Sequence, residues 1–500
     1  VTPRIADPTL AARICTAEEA AALIHDGDRV TMSGFTGAGH PKAVPAALAR
    51  RATEQAEAGG RTPRIEMWTG AGTVAAVDGA LAAAGLITRR LPYQSDPTLR
   101  AAINAGEVDY LDLHIGQVAP LARHGVLGEV SVALIEAAAI TADGDLVPTT
   151  SVGNSQTWLD LADRVIVEVN SWHASALHGL HDIAADTGAS VPIRAAGDRI
   201  GAPVLTCSPD KVVAVVPTDA AEGNDAFTAP DAASHRIAGH LLDFLAAEVR
   251  ARRLPASLRP LQSGVGNVAN AVLAALADSG FTDLSAYTEV ISDGMLSLID
   301  SGRMRVASAT SLALSTDGMS RFRAGDYRDR IVLRPAEISN HPEVVRRLGV
   351  IALNSMIEAD IYGNINSSHI VGSRIMNGVG GSGDFARNGF LSVFITPSVA
   401  KGGAVSAIVP MASHVDHPGQ DVDVIVTEHG LADLRGLAPR QRAARIIACC
   451  AHPDYRGALD DYFQRALRDG PGRHTPHLLG EALSWHSRYV SEGSMRGSAQ

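Results

Sequence analysis

Short apolar runs rich in Val and Ile alternate along this chain with longer stretches in which Ala and Leu recur at helical spacing. Thr16-Ala-Glu-Glu19 is a capping-box sequence, in which the Thr hydroxyl and the Glu carboxylate each take up a backbone N–H. It predicts a helix running to Ile24. The helix stops at Asp26-Gly27-Asp28, and Arg29 to Ser33 reads as a short buried strand. Gly34-Phe-Thr-Gly37-Ala-Gly39-His40-Pro41-Lys42 follows, then an Ala/Leu-rich helix to about Arg51. Strand, glycine turn and helix make one α/β unit. The turn is read either as a ligand loop, with the helix N-terminus favouring an anion, or as a tight connection only. Strand-like runs at 64–69, 108–113, 130–135, 164–169 and 211–217 then alternate with helical ones. That alternation predicts a mostly parallel sheet covered on both faces.

The pattern breaks at the polar, turn-rich stretch 223–230, which places a domain boundary between residues 1–225 and 226–500. A long helix is predicted over 232–253. The plan then restarts, with Ser263-Gly-Val-Gly-Asn leading into a second Ala/Leu helix. Further strands are expected at 284–291, 349–353, 391–395, 405–409 and 422–427. Helix is expected from Ala438 onward and a loose tail over 492–500. The fold class is α/β: two tandem domains with mostly parallel sheets and a helical C-terminal extension.

Composition narrows the function classes. Five hundred residues exceed one ordinary core, and 46% hydrophobic with 19% charged residues describe a globular protein. A net charge of -11 argues against a nucleic-acid partner, because phosphate contacts need a basic surface. No apolar run approaches the roughly 18–20 residues of a membrane helix. The beginning of the chain shows no charged-then-apolar leader, so no membrane association and a cytoplasmic setting are the expectations. Four cysteines, Cys15, Cys207, Cys449 and Cys450, show neither metal-ligand spacing nor a disulfide framework.

One carboxylate stands out. The run from Leu284 carries Glu289 at its end and then breaks at an Asp293-Gly294 turn. Two glycine-rich loops could converge on it: 263–267, with Gly264 and Gly266, and 377–384, with Gly380. Glu289 is therefore read as a nucleophile, with the loops holding a substrate around it. Residues 378–383 satisfy G-x-G-x-x-G. However, the next strand-like run starts at Leu391, leaving little room for a crossover helix, and no acidic residue follows about 20 positions on. Backbone amides facing an oxyanion or a phosphate suit this loop better than a dinucleotide site. His173, His178 and His181 could hold a metal, but Gly179 and the absence of an i, i+4 pair speak for surface or hydrogen-bonded histidines. Walker-A, H-E-x-x-H and G-x-S-x-G sequences are absent.

Taken together, residues 33–44, 263–272, 287–295, 360–366, 377–388 and 428–436 resemble the acetyl-CoA hydrolase/transferase family, over a span from about Cys15 to the 440s. The resemblance implies two CoA-transferase-type α/β domains, usually in a homodimer, and a catalytic glutamate that becomes a glutamyl-CoA thioester. That glutamate maps onto Glu289. Val265 and Gly381 match positions whose backbone contacts the acyl-CoA or the oxyanion, and Asn340 matches an asparagine near the reacting carbonyl. Asn377 and Lys401 match positions that touch coenzyme A. The implied activity moves CoA between an acyl-CoA and a small carboxylate, with succinyl-CoA and acetate the expected pair. Hydrolysis of acetyl-CoA by the same glutamate is the alternative. Coenzyme A enters as substrate, and no metal or other cofactor is expected. One departure is visible: Glu428-His429-Gly430 stands where the family would have Glu-Gln-Gly or Glu-Tyr-Gly.

Overall fold

Strand β1 (Arg29–Met32) lies at the centre of the first sheet, with neighbours on both sides. The computed structural model describes residues 4–72, 74–173, 177–222, 224, 230–264 and 266–497. They divide into two compact units. The first comprises residues 1–226, 285–300 and 304–348, and the second comprises 227–284, 301–303 and 349–500. The segment carrying Glu289 thus belongs to the first unit.

In the first unit, β1 is joined by β2 (Ile65–Trp68), β3 (Ile87–Leu91), β4 (Asp109–Tyr110), β5 (Val132–Ile140), β6 (Leu146–Pro148), β7 (Arg164–Asn170) and β8 (Val212–Thr218). Their order is β4-β3-β2-β1-β5-β7-β8, with β6 beside β5. Every neighbour along that path is parallel, and β6 runs antiparallel to β5. Parallel strands are covered on both faces, so β5 is apolar and buried almost throughout instead of alternating. The register sets Thr31 beside both Trp68 and Ala133, so the loops leaving β1 and β2 emerge at one end. There they meet: Thr36 N–H donates to the Ala71 carbonyl at 2.9 Å.

Strand β3 escaped the apolar pattern because Arg89 and Arg90 interrupt it. Arg90 is fully buried, its charge met by Asp78 at 3.0 Å and by the Gly72 carbonyl at 2.6 Å. Strands Met304–Ala309 and Ile331–Leu333 were not expected either. They pair in parallel, with Leu284–Tyr287 next in order.

The second unit has its own parallel core. Leu261–Ser263, Ile351–Ser355, Leu391–Ile395 and Val424–Thr427 follow one another, and Gly430–Asp433 closes the edge antiparallel. The expected strand over 405–409 is two short strands, Val405–Ser406 and Ile408–Val409, in separate small sheets. The expected helix over 232–253 runs Ala232–Arg250. The helical extension consists of Pro439–Cys450, Pro453–Asp469 and Ser484–Glu492. Ile446, Leu459, Tyr462 and Trp485 pack it onto a core that includes Phe394 and Ile425. None of the described helices is long and apolar enough to cross a membrane.

Candidate active site

Glu289 stands where the backbone changes partners. Leu284–Tyr287 is one strand, anchored by the buried Tyr287 hydroxyl on the Ile338 carbonyl. Thr288 N–H donates to Ser308 O at 2.9 Å, but the next carbonyl, that of Glu289, accepts from Thr310 and Ser311 N–H at 3.0 and 3.1 Å. Val290–Ile291 then pairs in parallel with Ser311–Leu312. The single strand expected over 284–291 is therefore two segments with Glu289 at the joint. Asp293-Gly294 opens the helix Asp293–Asp300 instead of making a turn.

The carboxylate is half-buried and almost bare. Asn340 Nδ2 donates to Glu289 Oε1 at 2.7 Å, the one hydrogen bond to this carboxylate among the described residues, and no cation pairs with it there. Enclosure disfavours the charged form and pushes the pKa up to about 7, with the Asn340 bond acting in the opposite direction. Val290 belongs to an apolar cluster with Phe35, Ala71, Ile115, Ala313 and Ala336, which keeps the surroundings poorly solvated.

Asn340 is oriented rather than merely near. It ends the short helix Ala336–Ser339, with its N–H on the Ala336 carbonyl at 2.9 Å, and it is fully buried. Ser339 Oγ donates to Asn340 Oδ1 at 2.8 Å, which turns the amide so that its NH2 faces Glu289. Neither Ser339 nor the loop segments behind the strand were singled out from the sequence. A serine beside an asparagine carries no distinguishing signal until the amide is seen to point at a carboxylate.

The loop residues expected around the substrate, Gly264, Gly266, Asn377, Gly380, Gly381 and Lys401, belong to the second unit, and Val265 lies outside the described residues. Gly266 has φ 125° and directly precedes the helix Asn267–Asp278. Gly380 has φ 59°, and Gly381 precedes a helix of five residues, Ser382–Ala386, far shorter than a dinucleotide-binding crossover. Lys401, Gly402 and Gly403 are all left-handed, at φ 51°, 63° and 88°, which leaves the Lys401 side chain exposed. Asp360 and Asn364 make a turn: Asp360 Oδ1 accepts from the Tyr362 and Asn364 N–H groups at 2.9 and 3.0 Å.

The first glycine turn does present a helix N-terminus to an anion, but the anion is the protein's own. Glu168 accepts from the N–H groups of Lys42, Ala43 and Val44 at 2.8, 3.0 and 2.6 Å. The three histidines of 173–181 do not converge. His178 is exposed, His181 bonds the Thr149 carbonyl at 2.8 Å, and His173 meets Glu136 at 3.2 Å.

Among the described residues, two groups of metal-capable side chains do come together. Glu136, His173 and Glu222 are buried around the Lys42 ammonium, which stands 2.5 Å from Glu136 and 3.3 Å from Glu222 and so supplies the cation itself. His369, His414 and Asp416 gather in the second unit. There the two histidine rings lie tilted by 35° with centroids 3.8 Å apart, and Asp416 accepts from Ser367 N–H at 2.6 Å and Ser368 Oγ–H at 2.7 Å. All four cysteines are free thiols.

Comparison with known proteins matches residues 9–217 to the acetyl-CoA hydrolase/transferase N-terminal domain and residues 319–463 to the C-terminal domain. The chain is 46% identical to a succinyl-CoA:acetate CoA-transferase of Clostridium kluyveri, covering 99% of this chain and 92% of that one. It is 42% identical to an acetyl-CoA hydrolase of Schizosaccharomyces pombe, covering 97% and 98%. A 4-hydroxybutyrate CoA-transferase structure from Porphyromonas gingivalis is similar in fold, with a TM-score of 0.63 at 21% identity over 91% of this chain and 98% of that one.

Proposed function

The chain belongs to the acetyl-CoA hydrolase/transferase family, and from that premise we propose that it transfers CoA between an acyl-CoA and a small carboxylate through Glu289. The observation that supports this most is the bare carboxylate of Glu289: enclosed and, among the described residues, without a cation and hydrogen-bonded by one oriented amide. A carboxylate kept for structure is normally paired. One left unpaired in a poorly solvated site is more nucleophilic, because it carries less hydration to shed.

In the proposed reaction a Glu289 oxygen attacks the thioester carbonyl, and the collapsing tetrahedral intermediate expels CoA thiolate. An acyl-glutamyl anhydride remains. The thiolate then attacks the glutamyl carbonyl, which releases the first carboxylate and leaves a glutamyl-CoA thioester. An acceptor carboxylate attacks that thioester, and the steps run in reverse. Covalent catalysis thus divides one difficult exchange into easier ones. The Asn340 NH2 is placed to donate to oxygen on the glutamyl carbon as charge moves on and off it. Such a donor is typically worth about 2.7–4 kcal/mol in the transition state. In the same reading, backbone N–H groups at 264–266 and 380–381 serve the acyl oxyanion, and Asn377 and Lys401 hold coenzyme A. Binding of the remote nucleotide offsets the strain of making an anhydride. Coenzyme A is substrate here, and the chemistry needs no metal.

The relatives include both a transferase and a hydrolase; in the proposed chemistry of this chain, the choice between the two activities is whether water or a carboxylate attacks the glutamyl thioester. Succinyl-CoA and acetate are the proposed pair, on the similarity to the Clostridium enzyme. CoA release measured with and without acetate or succinate decides between the two: release indifferent to the acceptor identifies a hydrolase. Incubation with acyl-CoA, borohydride reduction and peptide mapping tests the residue; a modification elsewhere than Glu289 rejects the mechanism. A homodimer in the cytoplasm completes the proposal, with sedimentation as the check on its assembly.

A further inference from the structure

Beneath the glycine turn that follows β1 lies a group of charged side chains that the proposed chemistry does not use. Lys42 carries 13% of its side-chain surface exposed, and Glu136, Glu222 and His173 carry 1% or less. The Lys42 ammonium bridges Glu136 and Glu222, and His173 Nε2 stands 3.2 Å from Glu136 and 4.0 Å from Glu222. Buried charges of this kind stabilise little by themselves, and breaking one partner is costly. Their use is to hold one geometry.

The geometry they hold leads to Glu289. Glu222 Oε2 accepts from Gly39 N–H at 2.7 Å, and Glu222 Oε1 accepts from the Thr150 hydroxyl. One carboxylate therefore joins the turn after β1 to the segment after β6. Each of those pieces grips the strand 310–312 from its own side. Ser311 Oγ donates to the Phe35 carbonyl at 3.1 Å, Leu312 N–H donates to Thr150 O at 2.8 Å, and Val152 N–H donates to Thr310 O at 2.9 Å. That strand in turn holds the Glu289 carbonyl through the Thr310 and Ser311 N–H groups. Close approach leaves no slack: a Cβ on Gly39 would stand 2.3 Å from Ser151 Oγ and 2.9 Å from Thr149 Oγ1.

We propose that the Lys42–Glu136–Glu222–His173 cluster is a positioning device that clamps the 35–40 turn and the 149–153 segment about strand 310–312 and so aims the Glu289 carboxylate, with Glu222 as the positioning residue. The inference rests on the reading of Glu289 as nucleophile. No cluster side chain touches that carboxylate, so its effect passes through backbone placement. A misplacement of about 1 Å can cost on the order of 100-fold in rate while leaving binding nearly unchanged.

The test uses the full chain with Glu222→Gln, which keeps shape and removes the charge, and Thr150→Val, which removes one hydroxyl and keeps volume. We expect kcat to fall at least about tenfold in Glu222→Gln and several-fold in Thr150→Val, with KM for acyl-CoA within about twofold and the rate of borohydride-trapped labelling at Glu289 falling in step with kcat. A purely structural cluster would lower Tm and leave the kcat of the folded fraction alone, and that result overturns the proposal. Should Glu222→Gln not fold, Thr150→Val decides by the same two readouts. Wild-type labelling at Glu289 with undiminished labelling in the folded variants defeats the positioning inference alone. Absence of labelling at Glu289 in the wild type defeats the nucleophile reading, and with it this inference.

Discussion

Glu289 and Glu136 are both enclosed glutamates of the first unit, and they are treated in opposite ways. Glu136 accepts from Lys42 Nζ, Asn170 Nδ2 and Thr149 Oγ1 at 2.5, 2.9 and 3.1 Å, and His173 stands 3.2 Å away. Burial alone would raise its pKa, but the ammonium and the imidazole hold it well below the usual carboxylate range. Among the described residues Glu289 has one amide and no cation, and burial pushes it up to about 7. The same side chain is structural where its charge is fully met and reactive where its charge is left nearly unmet. A perturbed pKa caused by desolvation with few partners is the mark of the second kind.

Removing the bare carboxylate should have the largest effect. Glu289→Ala is expected to lower kcat by on the order of 10⁴-fold or more while CoA binding by calorimetry persists; retained turnover would put the chemistry elsewhere. Next comes the one amide. Asn340→Ala should cost about 100-fold in kcat and move the acid limb of the pH–rate profile to higher pH, because the bond it removes favours the ionised form. An unmoved limb would show that the limb belongs to another group. In the wild type that limb should lie near pH 7, with kcat/KM falling about tenfold per unit below it.

The third effect is on stability. A carboxyl whose folded pKa is raised from 4.5 to about 7 holds its proton more tightly folded than unfolded, so stability is lost as pH rises through that window. Glu289→Gln does not titrate and escapes the loss. It should match the wild type near pH 4.5 and exceed it by on the order of 1–3 kcal/mol at pH 8, by denaturant melts at the two pH values. Equal gaps at both pH values would mean that the charge is solvated. Smallest is Ser339→Ala, which frees the Asn340 amide to rotate. A loss of several-fold in kcat is expected with Tm nearly unchanged, and no loss would show that packing alone fixes the amide.

Much of the α/β plan was legible because parallel strands buried on both faces leave apolar runs, such as 132–135 in β5 and 165–167 in β7. Part of what escaped was written in polar letters. Strand β3 was hidden by Arg89 and Arg90, since a buried arginine is admissible only when a partner such as Asp78 reaches it from elsewhere in the chain. The turn leading to Lys42–Val44 was read either as a ligand loop or as a tight connection, and that its helix N-terminus holds Glu168, 124 residues from Val44, is invisible locally. Of the candidate site, Glu289 and Asn340 were named from sequence and resemblance, and the structure brings them to 2.7 Å. Ser339, the Thr149–Thr150 segment and the Lys42 cluster were not named: Ser339 matters only through the amide of its neighbour Asn340, and the other two act through contacts spanning large separations.

By itself the sequence determined the alternation of strands and helices, the glycine turns and the isolation of Glu289 among apolar neighbours. These depend on local spacing and on side-chain hydration. Only the tertiary structure decided which carboxylate is paired and which is bare, for pairing is a matter of what arrives from distant strands. Lys42, His173 and Asn170 all come to Glu136, whereas Asn340 alone donates to Glu289 among the described residues. That difference in company, not in residue type, moves the two pKa values in opposite directions.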